Sequence, residues 1–122
     1  MAAMPRSVLV VDDDTAFRAL AAKTLRSWGL HVIGEAGTFA EAIVRSSELR
    51  PDAVLVDIGL PDGDGFSLAQ RLSVLPWQPR IVLISSDADC ANDVVARRLG
   101  AVGFVPKEEL LGTSLRRMIS EA

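Results

Sequence analysis

Cysteine is close to absent, since Cys90 is the only one in 122 residues. No internal disulfide can form, and nothing in the chain argues for an oxidising compartment. Taken alone, Cys90 reads as a small buried apolar group. Long apolar runs are lacking too. The longest near the start is Val8 to Val11, too short for the core of a secretory signal, and no stretch approaches the roughly 20 apolar residues of a membrane span. An excess of basic charge is also missing. The formal net charge of -3 gives no footprint for direct binding of nucleic acid or an anionic membrane. Internal repeats and low-complexity tracts are absent. These exclusions lead to the expectation of a cytoplasmic globular protein.

What is present suits one domain. A chain of 122 residues can bury a single core without disulfides or structural metal. Residues 1–5 are expected to be a disordered end, and the domain to cover residues 6–122. Its most telling stretch is AVLVDIGLPDGDGF, from Ala53 to Phe66. The apolar run Ala53-Val54-Leu55-Val56 reads as a strand buried on both faces. It ends in Asp57, and the turn formers Pro61, Gly63 and Gly65 follow. The Asp57 carboxylate therefore falls at the carboxyl end of a strand, where open α/β sheets place their ligand sites.

The remaining elements alternate in the same way. Ser7 to Val11 is a short strand running into Asp12-Asp13-Asp14. A helix pattern follows with Phe17, Leu20, Ala21, Thr24, Leu25 and Trp28, with Asp14 as its N-cap and Gly29 as its stop. Val32-Ile33 predicts a brief second strand. Thr38 with Glu41 three residues later is a capping-box signature for a helix reaching about Leu49. Phe66, Leu68, Ala69, Leu72 and Leu75 predict a third helix, stopped by Pro76 and Pro79. Ile81 to Ile84 is a strand ending in Ser85-Ser86. A fourth helix is expected from about Cys90 to Leu99, with Gly100 as its stop. Gly103-Phe104-Val105 predicts a fifth strand leading into Pro106-Lys107. The final helix is expected from Glu108, with acids in its first turn and Arg116-Arg117 late, as the macrodipole favours. Five strand–helix alternations predict an α/β fold, a doubly wound (βα)5 flavodoxin-like three-layer sandwich with parallel sheet order 2-1-3-4-5.

That order places the switch point between the first and third strands, so Asp12, Asp13 and Asp57 converge on one crevice. Carboxylates crowded together resist ionisation without a cation. Mg2+ takes a few oxygen ligands and keeps several waters, with Asp13 and Asp57 as candidate direct ligands and Asp12 acting through water. The plain alternative, acids that only cap the first helix, suits Asp14 better than two residues ending a buried strand. Ser85 and Lys107 reach the same rim. Alone, each has a bland reading, as a strand-end hydroxyl bonded to backbone and a solvated helix-entry charge. Beside the acids, a hydroxyl and an ammonium complete a phosphoryl-binding set, and a carboxylate can itself accept a phosphoryl group.

With VLVVDD, VDIGLPDGDG, IVLIS and GFVPK in this order and spacing, the chain resembles a response-regulator receiver domain of bacterial two-component signalling, from about Arg6 to the C-terminus. The resemblance implies that Asp57 is the phosphoacceptor and that Asp12 and Asp13 are the acidic Mg2+ pair. It also implies that the Gly59 backbone carbonyl is a further metal ligand. Ser85 then fills the switch Ser/Thr position, Lys107 that of the phosphate-binding lysine and Phe104 that of the switch aromatic. A phosphohistidine on a sensor histidine kinase would supply the phosphoryl group. Ser85 would be drawn toward it and Phe104 would rotate, changing the surface of the fourth helix, fifth strand and fifth helix to engage a downstream protein or output domain. A homodimer formed on phosphorylation is a further implied partner. Such a chain catalyses only its own phosphorylation and dephosphorylation and is not otherwise an enzyme.

Some positions depart from the family or stand outside it. Glu108 follows the lysine where many receivers have proline. Gly59 and Asp87 occupy the positions that tune phosphoryl lifetime, and a glycine offers no side chain to steer attacking water. Phe104 has a competing reading as ordinary core, and His31 stands off the site. A haloacid-dehalogenase-like Mg2+-dependent phosphatase is the main alternative. Its acids two apart are matched by Asp12 and Asp14, but Ala16 stands where Thr or Val belongs. A flavodoxin-like cofactor carrier would need a phosphate-cradling loop after the first strand, where three acids stand instead. A receiver signalling by protein binding alone leaves the acid-Ser-Lys set unexplained. Both a stand-alone receiver and a piece of a longer regulator fit this length.

Overall fold

The computed structural model describes residues 6–87, 93–109 and 112–120. Its centre is a parallel sheet of five strands, β1 (Ser7–Val11), β2 (His31–Ala36), β3 (Ala53–Asp57), β4 (Arg80–Ser85) and β5 (Gly103–Pro106). Their spatial order is β2-β1-β3-β4-β5. A small antiparallel hairpin, Gly59–Leu60 against Gly63–Asp64, stands outside the sheet. The helices are α1 (Thr15–Ser27), α2 (Phe39–Leu49), α3 (Gly65–Ser73), α4 (Asp93–Arg98) and α5 (Thr113–Ser120). This is the doubly wound flavodoxin-like fold and strand order expected.

Side-chain alternation along the strands builds two cores at once. Val8, Val10, Leu55, Val82 and Ile84 face one way and meet Leu25 of α1 with Leu115 and Ile119 of α5. Leu9, Val11, Val54, Val56 and Leu83 face the other and meet Ala42 of α2, Leu68 and Leu72 of α3 and Ala96 of α4. Every residue of β3 is buried, as a central strand covered on both faces must be. Each fully buried Leu or Ile contributes roughly 1.5–3 kcal/mol.

Helix ends follow the local chemistry. Asp14 Oδ1 accepts the N–H groups of Ala16 and Phe17 at 3.0 and 3.2 Å, and Thr38 Oγ1 accepts that of Glu41 at 3.1 Å. Gly29 and Gly100 take left-handed φ of +82° and +86° just past α1 and α4, where a side chain would be strained. α3 starts one residue before Phe66, because Asp64 caps it through Ser67 N–H at 2.8 Å.

Three expectations need correction or restriction. β2 is six residues long rather than a brief Val32-Ile33. Gly34 and Glu35 hide it from propensity, yet pairing with β1 carries it through a register shift between Val8 and Leu9. The last helix, expected to begin near Glu108, begins at Thr113. Lys107–Glu109 is a separate 3-10 turn, Gly112 N–H closes on the Glu109 carbonyl at 2.9 Å, and α5 has no acid in its first turn. Glycine is a poor helix former and breaks the run there. The start of α4 near Cys90, the burial of Cys90 and the character of residues 1–5 lie outside the described residues.

Gly65 is the tightest point near the site. A Cβ there would lie 2.4 Å from both the Asp57 carbonyl oxygen and Ile58 Cα, and main chain cannot turn aside. Gly65→Ala is expected to cost about 1–3 kcal/mol, read as a lowered urea midpoint. An unchanged midpoint would show that the approach is not constrained.

Candidate functional site

β1 and β3 are neighbours whose chains leave toward opposite faces, so their carboxyl ends open a crevice. Asp12 follows β1 and is fully buried. Its N–H bonds the Ala36 carbonyl at 3.0 Å, its Oδ1 accepts Asp14 N–H at 2.8 Å, and its carbonyl accepts Arg18 Nη1 at 2.5 Å. Arg18 is held in turn by Glu35 at 3.1 Å. Asp13 is exposed in the crevice. Asp57 ends β3, and its Oδ1 accepts Gly59 N–H at 3.2 Å. Carboxylate oxygens of Asp12, Asp13 and Asp57 all lie within 4.8 Å of one another.

Lys107, just past β5, closes this group. Its Nζ lies 2.6 Å from Asp12 Oδ2 and 3.4 Å from Asp57 Oδ2. Asp12 Oδ2 has no directed hydrogen bond, so the ion pair with Lys107 is its compensation. Ser85, at the end of β4, is 5% exposed, and its Oγ accepts Asp87 N–H at 3.0 Å. The two lifetime candidates therefore sit beside the site, Gly59 through Asp57 and Asp87 through Ser85. A cleft of about 650 Å³ is lined by Asp13, Asp57, Gly59, Ser85, Lys107 and also Phe66. Phe66 was legible only as a core position, because helical periodicity does not distinguish a residue at a cleft wall from one beneath it. Phe104 is half-buried on β5 against the α2–α3–α4 core, and its N–H donates to Asp93 Oδ1 of α4 at 3.0 Å. His31 begins β2, at the opposite end of the sheet.

Burial pushes the Asp57 carboxyl above the usual aspartate value of 3.8. The Asp12 charge adds to this, and Gly59 N–H and the Lys107 ammonium oppose it without cancelling it. For Lys107, burial works against the charge, but the Asp12 and Asp57 carboxylates outweigh it and raise its pKa. Three carboxylates face one ammonium, which leaves two negative charges uncompensated when all are ionised. An all-oxygen set of that charge, with a buried oxygen lacking a hydrogen bond, fits a hard divalent cation such as Mg2+.

A switch-point crevice of this kind, on this sheet, defines a receiver-type α/β domain. The family model for the response regulator receiver domain matches residues 8–118, and the chain belongs to that family, the receivers of two-component response regulators. It is 34% identical over 87% of its length to the transcriptional regulatory protein PdtaR of Mycobacterium tuberculosis, of which the match covers 51%. Against the chemotaxis protein CheY of Bacillus subtilis it is 30% identical, over 85% of this chain and 87% of that one. The receiver domain of NarL from Mycobacterium tuberculosis superposes with a TM-score of 0.82 at 28% identity, covering 98% of this chain and 100% of the other. The chain thus spans about half the length of PdtaR. Family membership leaves the haloacid-dehalogenase alternative without support. Among the described residues no helix is long and apolar enough to cross a membrane.

The raised pKa of Asp57 has a consequence for stability. Its proton is held more tightly in the folded than in the unfolded chain, so ionising it works against folding. The penalty is absent below about the ordinary value of 3.8 and is complete above the folded-state pKa. Asp57→Asn is therefore expected to raise the urea midpoint at pH 7 in the presence of chelator, with the advantage shrinking as pH falls toward the ordinary value. An advantage that persists undiminished in acid would trace the gain to something other than this charge.

Proposed function

We propose that this chain is a phosphorylation-dependent signalling switch that accepts a phosphoryl group from a sensor histidine kinase onto Asp57. The observation that carries this reading is Lys107 Nζ bridging Asp12 Oδ2 and Asp57 Oδ2 inside a three-carboxylate cluster. An Asp57 oxygen attacks phosphorus, the phosphorus–nitrogen bond to the kinase imidazole breaks, and its electron pair returns to that ring. Asp12, Asp13, Asp57 and the Gly59 carbonyl would hold Mg2+, which when bound would supply positive charge against the transferring oxygens. Lys107 exchanges Asp57 Oδ2 for a phosphoryl oxygen. The Ser85 hydroxyl accepts from Asp87 N–H, so its own proton remains available for another.

Attraction of Ser85 toward the phosphoryl group vacates space for Phe104, and the α4–β5–α5 surface changes with it. The bond from Phe104 N–H to Asp93 joins strand and helix at that point, which supports their moving together. That surface then engages a downstream protein, an output domain or a second phosphorylated copy. Gly59 and Asp87 set the lifetime of the acyl phosphate, and the chain acts as a catalyst only on its own phosphorylation and dephosphorylation. We place the working domain at residues 6–122 and the protein in the cytoplasm, without direct nucleic-acid or membrane contact, in keeping with a net charge of -3.

A small acyl phosphate with Mg2+ should add one phosphoryl group, detected by intact mass. Asp57→Asn should abolish the adduct, and chelation should slow labelling strongly. Lys107→Ala should slow it by about 10²–10³-fold, the usual loss for one preorganised electrostatic group. Labelling that survives in Asp57→Asn would move the acceptor elsewhere. A phosphotransfer panel of histidine kinases tests the partner.

A further inference from the structure

Lys107 has a third neighbour besides its two carboxylates. Its Nζ lies 4.5 Å from the centroid of the Phe17 ring, within the range where a cation is attracted to an aromatic face. An ammonium has three N–H donors. One donates to Asp57 Oδ2, the charge pairs with Asp12 Oδ2, and Nζ also stands over the Phe17 ring face. Phe17 is half-buried and packed against the α1–α5 core, and the Lys107 side chain is largely buried, so the attraction is stronger than on an open surface.

The ring is held in place by the site itself. Asp12 Oδ1 fixes the N–H of Asp14 at 2.8 Å, and Asp14 Oδ1 fixes the N–H of Phe17 at 3.2 Å. The Phe17 ring meets Lys107, and Lys107 returns to Asp12 Oδ2 at 2.6 Å. The contacts form a closed circuit from one oxygen of Asp12 to the other. We propose that Phe17 is a positioning residue for Lys107: its ring face backs the ammonium and keeps it aimed at the oxygens above Asp57. A ring face has no fixed hydrogen-bond direction, so the contact persists while Lys107 changes one carboxylate for a phosphoryl oxygen. It thereby spares part of the entropy of ordering a long side chain. The inference rests on Asp57 being the phosphoacceptor.

The test measures the rate of Asp57 phosphorylation by a small acyl phosphate at saturating Mg2+. The full chain would carry at position 17 either phenylalanine or its mono-, di- and trifluorinated analogues, introduced at that site alone. Fluorine drains the ring face stepwise with little change of shape. The rate is expected to fall progressively, by between about threefold and about thirtyfold across the series, while the Mg2+ concentration giving half the thermal shift stays constant. Phe17→Trp should retain the rate, and Phe17→Leu should match the most fluorinated ring. A flat or rising series overturns the proposal, and loss in Phe17→Leu beside a flat series assigns Phe17 to packing. If the unsubstituted chain takes up no phosphoryl group, the phosphoacceptor reading fails and the inference with it. If the chain labels and the series is flat, only the inference fails.

Discussion

Negative charge is concentrated where the protein can least screen it. Asp12 is wholly buried and Asp57 nearly so, with Asp13 beside them and, among the described residues, a single ammonium, that of Lys107, in contact. Charges a few ångströms apart interact far more strongly in a protein interior than in water. Burial is therefore the first cause of the raised Asp57 pKa, and the nearby Asp12 charge reinforces it. The imbalance makes the site receptive to positive charge. A divalent cation would relieve it, and in the proposed reaction a lysine that already bridges two carboxylates would follow the charge to a phosphoryl group.

The fold creates this concentration rather than merely tolerating it. Parallel strands end on one side of the sheet, and the reversal of winding between β1 and β3 leaves their ends uncovered by helix. β1 places Asp12 there with three main-chain or side-chain anchors, β3 places Asp57, β4 places Ser85 and β5 leads to Lys107. The apolar residues preceding each of these are buried on alternate faces. A one-residue register slip in any strand would turn its functional residue toward the other face and exchange the side chains that fill the two cores. Hydrophobic packing thus specifies the positions of the polar groups at the strand ends.

Much of this was legible in the amino-acid order. Val-rich runs ending in Asp12, Asp57 and Ser85 disclosed both the sheet and the rim, because fully buried strands need continuous apolar residues and the first polar residue marks their end. β2 was less legible, since Gly34 and Glu35 interrupt its apolar pattern and only pairing with β1 makes it six residues long. The last helix was misplaced because Glu108 and Glu109 suit a helix start chemically, whereas Gly112 separates their turn from α5. Phe17 and Phe66 were visible as periodic apolar positions. That one faces an ammonium and the other a cleft depends on how α1 and α3 pack, a matter of tertiary geometry that spacing along the chain does not encode.

The loop that carries Asp57 and Gly59 is secured at several points. On the Asp57 side, Asp62 accepts the N–H groups of Phe39 and Ala40 at 2.7 and 3.1 Å, clamping the loop after β3 to the start of α2. The Phe39 ring also sits where a Cβ on Gly63 would be, at 2.7 Å, and Gly65 lies tight against the Asp57 main chain. Such a loop can present Gly59 and Asp57 in one geometry. On the Ser85 side, Asp87 N–H donates to Ser85 Oγ and Phe104 N–H to Asp93 Oδ1, each bond worth about 1 kcal/mol net. A wall fixed at Asp62, Gly63 and Gly65 gives the proposed phosphoryl transfer a stationary reference, against which movement of Ser85 and Phe104 would become a change of surface.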